Sequence, residues 1–122
     1  MAFKVNDQYH PAIIEISGKF LGSIEGAALK EAVTRLKEGG NTQVVIDLSK
    51  ADFMDSSGIG ALISTLTTLR TAGGDVRLAG LEKRIKNLFL ITRLLGPVFD
   101  DYPDVEAALQ SFKDNPPAPA EI

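Results

Sequence analysis

The chain has no cysteine, no tryptophan and a single histidine among its 122 residues. Without cysteine there is no disulfide framework, no thiolate nucleophile and no sulfur-ligated metal site. A reducing cytosol is thereby permitted, though not required. The one histidine, His10, sits in the turn-forming stretch Asp7-Gln8-Tyr9-His10-Pro11, where it reads as a solvated loop residue. Serine nucleophile chemistry is left without an evident base. Gly-x-Ser-x-Gly is missing, and so is any Gly-Lys-Ser or Gly-Lys-Thr triplet of a phosphate loop. Long apolar runs are missing as well: the longest, Leu88-Phe89-Leu90-Ile91, falls far short of the roughly 20 residues that span a bilayer. Met1-Ala2-Phe3-Lys4 opens a strand-like segment and not a basic stretch followed by an apolar one, so no signal peptide is expected. Excess positive charge is also lacking. The net charge is -3 and the pI is near 5.1, which argues against a nucleic-acid binder. The carboxylates are dispersed, and the adjacent pair Asp100-Asp101 is expected to shape a solvated turn, not a metal site. These absences point to a cytoplasmic domain that is not an enzyme, with no cofactor, no metal, and no direct contact with nucleic acid or membrane.

What is present is a chain of single-domain length. At 44% hydrophobic residues, it can bury roughly two-thirds of its unfolded surface without staples. Phe3 to Val5 and Ala12 to Ile16 read as two strands, paired antiparallel across the turn. A helix follows from Gly22-Ser23, with Ser23 as the expected N-cap, Glu25 in the first turn and an apolar stripe of Ala28, Leu29, Ala32, Val33 and Leu36. Gly39-Gly40 closes it in the left-handed manner glycine favours. Thr42 to Leu48 is a continuously apolar strand, as expected where both faces are covered. A second helix carries Ile59, Leu62, Ile63, Leu66 and Leu69 on one face and stops at Gly73-Gly74. Val76 to Ala79 gives a fourth strand. Glu82 to about Leu95 gives a third helix, broken by Gly96-Pro97. Val98-Phe99 offers a short last strand, and Pro103 to Phe112 a final helix. The expected architecture is α/β: one domain over residues 1–113, with a mixed, mostly parallel central sheet of four or five strands and about four helices in the order ββαβαβ(α)βα. Residues 114–122, rich in proline, are expected to form a flexible tail.

The chemistry concentrates at Met54-Asp55-Ser56-Ser57-Gly58-Ile59-Gly60, where the third strand gives way to the second helix. Free backbone N–H groups and the positive end of a helix dipole gather there, a setting suited to an anion or phosphate. If Ser56 or Ser57 is the N-cap, the other hydroxyl stays free. A phosphoryl group on a free serine would add about -1.5 to -2 charges beside Asp55. A closely packed partner would then have to desolvate both groups, which makes a binary switch. The residues themselves do not choose between Ser56 and Ser57. Gly58-Ile59-Gly60 also has the start of a dinucleotide fingerprint, but its third glycine position is Ile63 and no acidic residue ends the next strand. The loop Gly18-Lys19-Phe20-Leu21-Gly22-Ser23 should lie beside Ser56. Phe20 and Leu21 read more commonly as core residues; either one, if exposed, would give a partner apolar contact.

Asp55-Ser56-Ser57-Gly58-Ile59-Gly60-Ala61-Leu62 resembles the signature of STAS domains, in particular bacterial anti-anti-sigma factors, also called anti-sigma factor antagonists. Val44 to Leu48, Phe53-Met54, Gly73-Gly74 and Lys86-Asn87-Leu88-Phe89 extend the likeness across roughly Phe3 to Phe112. Many members carry an acidic residue in the turn after the second strand, where this chain has Lys19-Phe20-Leu21-Gly22. The resemblance implies partner switching in transcription regulation. The unphosphorylated protein would bind an anti-sigma factor that is also a serine kinase, and so release a sigma factor. Phosphorylation would fall on Ser56, and a PP2C-type phosphatase would reverse it. Asp55, Ser57, Gly58 and Ile59, with Phe20, Leu21, Gly22 and Ser23 from the neighbouring loop, would form the partner-binding surface. The alternative is a phosphorylation-independent STAS interaction module, or a ligand- or nucleotide-sensing one.

Overall fold

A computed structural model describes residues 3–8 and 10–117. The elements run β1 (Phe3–Asn6), β2 (Ala12–Phe20), α1 (Gly22–Glu38), β3 (Gln43–Met54), α2 (Ser56–Thr71), β4 (Asp75–Ala79), α3 (Lys83–Ile91), β5 (Asp101–Tyr102) and α4 (Val105–Asp114). The sheet follows chain order, β1-β2-β3-β4-β5. β1 lies antiparallel on β2, and every later pairing is parallel. This is the α/β arrangement that the sequence predicts.

The central strand sorts its side chains onto two layers because successive residues of a strand point to opposite faces. Val44, Ile46 and Leu48 join Ile14, Ile16, Leu29, Leu62, Leu69 and Phe89 in the main core beneath α1, α2 and α3. Val45 points the other way and, with Ala79, meets Ala108 and Phe112 of α4. That second layer is pinned by Arg77, only 5% exposed. Its guanidinium donates to Asp75 Oδ2 at 3.2 Å, Ser111 Oγ at 3.0 Å and the Asn115 carbonyl at 2.6 Å, and lies 4.1 Å from the Phe112 ring centre. A buried cation is tolerable because it is paired, hydrogen-bonded and stacked on a π-face.

Several boundaries differ from the sequence reading. β2 runs on to Phe20 and does not stop after Ile16, so Gly18, Lys19 and Phe20 belong to the strand and not to a loop. β3 continues to Met54, well beyond Leu48. Its partner register shifts twice, between Glu15 and Ser17 and between Gly18 and Lys19, each time placing an extra β3 residue opposite β2. The inward positions therefore become Leu48, Ala51 and Met54, spaced by three instead of two. α3 ends at Ile91, because Arg93 takes a left-handed φ of 58° and turns the chain. Leu94 and Leu95 still pack against the core from outside the helix. Val98-Phe99 is not the last strand: Phe99 is a fully buried plug, edge-on to Phe89 with ring centres 5.9 Å apart, and β5 begins at Asp101. The final helix starts at Val105, capped by Asp104, whose side chain accepts from the Ala107 amide at 2.8 Å. Asp114 ends that helix and Asn115 is held by Arg77, so the chain stays in the fold through them. The end of the expected tail, residues 118–122, lies outside the described residues.

Candidate functional site at the start of the second helix

β3 ends on buried Met54, and Asp55 is the first residue off the strand. Its backbone is extended, with φ -87° and ψ 175°, and its carboxylate turns back to cap α2. Asp55 Oδ1 accepts from the Gly58 amide at 2.6 Å, an N-cap bond to the third helical residue. The same oxygen accepts from the Gly22 amide at 3.1 Å. One carboxylate oxygen thus ties the first residue of α1 to the opening turn of α2, across 33 positions of sequence.

This corrects both expected caps. Asp55, not Ser56 or Ser57, caps α2. α1 begins at Gly22 with Leu21 in the cap position and no side-chain cap bond, so Ser23 lies inside the first turn. The local signal was present at α2, since Asp is as good a cap as Ser and stands three residues before Gly58. At α1 the acceptor comes from a distant segment, which no local pattern reveals.

The glycines are packing requirements here. A Cβ on Gly22 would fall 2.1 Å from the Ser57 carbonyl carbon and 2.2 Å from its oxygen. A Cβ on Gly58 would fall 2.7 Å from the Phe20 carbonyl oxygen and 2.9 Å from the Met54 side chain. The two helix starts therefore touch backbone to backbone. Gly60 is different: it is exposed, with open space where a Cβ would go.

The expected contact residues separate accordingly. Ser56 and Ser57 are both exposed, and Ser23 with them. Asp55, Leu21 and Gly22 are half-buried. Phe20 is wholly buried, and Ile59 is 8% exposed. Both drop out of any accessible surface, because the ring of Phe20 fills the space beneath Gly58 and Ile59 faces the core. Gly58 is buried too, leaving its backbone as scaffold. Two exposed apolar side chains nearby escaped the sequence reading: Ile24 at 68% and Phe53 at 47%. Ile24 lies in the first turn of α1, and Phe53 precedes Met54 on the extended end of β3. Only the exposure distinguishes them from core residues.

Electrostatically, the anion position at the mouth of α2 is already filled. Asp55 contributes its own charge where free helix N–H groups and the dipole stabilise it. A nucleotide phosphate seeking the Gly58 amide would meet that carboxylate first, so the Gly58-Ile59-Gly60 fingerprint has no vacant phosphate cradle. Glu25, in the first turn of α1, adds a second carboxylate; one of its oxygens is buried without a hydrogen-bond partner. Among the described residues no cluster of His, Asp and Glu could hold a metal ion. His10 is exposed. The Asp100-Asp101 pair is divided: Asp101 faces Lys86 at 3.7 Å while Asp100 is exposed. No helix of the described residues is long and apolar enough to cross a membrane.

Known proteins resemble this chain at three levels. The anti-sigma-B factor antagonist of Staphylococcus aureus (strain NCTC 8325 / PS 47) is 32% identical over 66 residues, which is 54% of this chain and 61% of that protein. The protein of the same name from Staphylococcus epidermidis matches to the same extent. The matched stretch thus spans less than two-thirds of these curated relatives. Among solved structures, the anti-sigma factor antagonist SpoIIAA in its unphosphorylated form superposes with a TM-score of 0.77 at 21% identity, covering 93% of this chain and 97% of that one. An anti-sigma factor antagonist from Mycobacterium paratuberculosis gives 0.77 at 24% identity, covering 92% and 93%. SpoIIAA in its phosphorylated form, described as a Bacillus cell fate determinant, gives 0.66 at 22% identity, covering 89% and 98%. The family model of the STAS domain matches residues 2–108, and with nearly the whole described fold inside that match, the chain belongs to the STAS domain family.

Proposed function

We propose that this protein is an anti-sigma factor antagonist whose partner reads Ser56 as bare or phosphorylated. The observation that carries this is the division of labour at the junction: Asp55 takes the cap, so the exposed Ser56 is left outside it. The bare form docks on an anti-sigma factor with serine kinase activity and thereby frees a sigma factor. Phosphorylation adds about -1.5 to -2 charges next to Asp55. A partner that excludes water from this edge strengthens the repulsion it must overcome. The frame itself is expected to survive, because Ser56 is the exposed first residue of α2, where the helix N-terminus tolerates negative charge. A PP2C-type phosphatase resets the switch. The scene is the cytoplasm of a bacterium, with neither nucleic acid nor membrane in direct contact. Solution of a protein of this fold in a phosphorylated form supports the reading, as does the name of the Staphylococcus relatives.

The test is incubation with candidate anti-sigma kinases and ATP, followed by mapping of the phosphate by mass spectrometry. Label is expected on Ser56 and absent from Ser56→Ala; Ser56→Asp is expected to lose the kinase in a binding assay. No label with any cognate kinase, together with unimpaired binding by Ser56→Asp, sinks the proposal. In that event the chain is a phosphorylation-independent interaction or ligand-sensing module, and Ser56→Ala would behave as wild type in cells.

A further inference from the structure

Three consecutive residues at the mouth of α2 are good helix caps: Asp55, Ser56 and Ser57. Whichever of them caps the helix turns its side-chain oxygen inward to a backbone amide. The place where α2 begins therefore decides which hydroxyl stays free. In the structure α2 begins at Ser56, with Asp55 as the cap. Packing clamps the next two residues. The Ser57 carbonyl abuts Gly22, and Gly58 lies against the Phe20 carbonyl and the Met54 side chain. Ser56 is in neither of these contacts and is exposed. Shortening α2 by one residue thus asks only Ser56 to change, from a helical to an extended backbone. As the new cap, its oxygen would accept from the Ile59 amide, which now donates to the Asp55 carbonyl at 3.0 Å.

Serine caps a helix as well as aspartate does, so local preference does not separate these two starts. Two features of Asp55 do. Its charge sits at the positive end of the α2 dipole. Its Oδ1 also accepts from the Gly22 amide at 3.1 Å, so a slip would break a bond to α1 as well as the cap bond to Gly58. We propose that Asp55 is a positioning residue for phosphoryl transfer: through its tie to α1 it holds the start of α2 at Ser56 and keeps the Ser56 hydroxyl out of the cap. The inference rests on the phosphoswitch reading for the reaction, and on the junction geometry for the position of the helix start. In that reaction the Ser56 oxygen bonds to the γ-phosphorus of ATP as the bond from that phosphorus to ADP breaks. The hydroxyl proton passes to a base of the kinase. An oxygen turned in to the Ile59 amide is not presented to that phosphorus.

The experiment compares the wild type, Asp55→Ala and Asp55→Asn as full chains, each checked for folding by circular dichroism. Without any kinase, the Cα and Cβ chemical shifts of Ser56 read its backbone. They are expected to be helical in the wild type and in Asp55→Asn, which keeps an acceptor, and to move to extended values in Asp55→Ala. Mere loosening of the junction would blur Ser57 and Gly58 equally. With an anti-sigma kinase and ATP, the initial rate of labelling at Ser56 should fall about fivefold in Asp55→Ala, the population change that one N-cap bond makes. In Asp55→Asn it should stay within about twofold of the wild type. If Asp55→Ala does not fold, Asp55→Gly removes the same acceptor at lower cost and carries the same expectation. Helical shifts at Ser56 in the folded alanine or glycine variant overturn the proposal, as does labelling of that variant at the wild-type rate. Equal slowing in Asp55→Asn and Asp55→Ala overturns it too, because the kinase would then be reading the carboxylate itself. Labelling of the wild type with helical shifts in every variant removes the positioning role and keeps the switch. Failure of every kinase to label the wild type removes the switch, and the Ser56 shifts alone then decide whether Asp55 sets the helix start.

Discussion

Replacing Asp55 by alanine removes the one oxygen that serves both helix starts. Loss of the cap bond to the Gly58 amide costs about 1 kcal/mol. The Gly22 amide, in a part-buried setting, loses its acceptor as well, which adds about 1–2 kcal/mol. The expected total is about 2–3 kcal/mol. At roughly 2.1 cal/mol/K per residue, unfolding entropy for a chain of this length is about 0.26 kcal/mol/K, so Tm should fall by about 8–12 °C. Asp55→Asn keeps an acceptor in place and surrenders only the charge, for about 0.5–1 kcal/mol and about 2–4 °C. Urea and thermal unfolding monitored by circular dichroism give both numbers, and hydrogen exchange should show lost protection at Gly22 and Gly58 together in the alanine variant. Equal losses for Asn and Ala, or a Gly22 amide as protected as in wild type, would refute the shared-oxygen account.

The two junction glycines should respond in opposite ways from Gly60. Gly22→Ala forces a Cβ into the Ser57 carbonyl and should cost about 2–3 kcal/mol in urea unfolding, whereas Gly60→Ala meets open space inside a helix and should gain about 0.5–1 kcal/mol. Phe20→Ala, at a fully buried position, should lose about 3–5 kcal/mol, while Phe53→Ser on the exposed end of β3 should change stability by less than about 1 kcal/mol; similar losses for the two would contradict their assigned environments. Arg77→Ala leaves Asp75 with Arg70 alone and strips the hydrogen bonds to Ser111 and Asn115. It should destabilise by about 3 kcal/mol, with faster amide exchange concentrated in residues 105–114. Uniform loosening of the whole chain would show that Arg77 is not the tie between β4 and α4.

Much of the architecture was legible because local and tertiary signals agree. The apolar run at Val44 to Leu48, the glycine pairs that close α1 and α2, and the helical stripes of Leu29, Val33 and Leu36 or of Leu62, Leu66 and Leu69 each state one environment, and the fold supplies it. Several of the failures share a cause, which is action at long range. The second half of β3 reads Ser49-Lys50-Ala51-Asp52, with no alternation, because two bulges against β2 reset the inward positions to every third residue. α1 starts at Gly22 as read, but Ser23 is not its cap, because Asp55, far along the chain, accepts from the Gly22 amide. Phe20 is open in the sequence to both a core and a partner-surface reading; it is core, at the end of β2, because α2 lays Gly58 directly over it. At the junction the residue types promised an anion site with a spare hydroxyl. The hydroxyl is spare, but the anion is the protein's own carboxylate.

The lengthened third strand brings an obligation. β4 pairs with β3 only as far as Asp47, whereas β2 follows it to Met54, so the stretch from Leu48 onward has a strand on one side alone. Unpaired ladders of that kind invite foreign strands to add themselves. The exposed Lys50 and Asp52 stand along this margin as gatekeepers, and trading both for valine would turn a quiet border into a seed for aggregation.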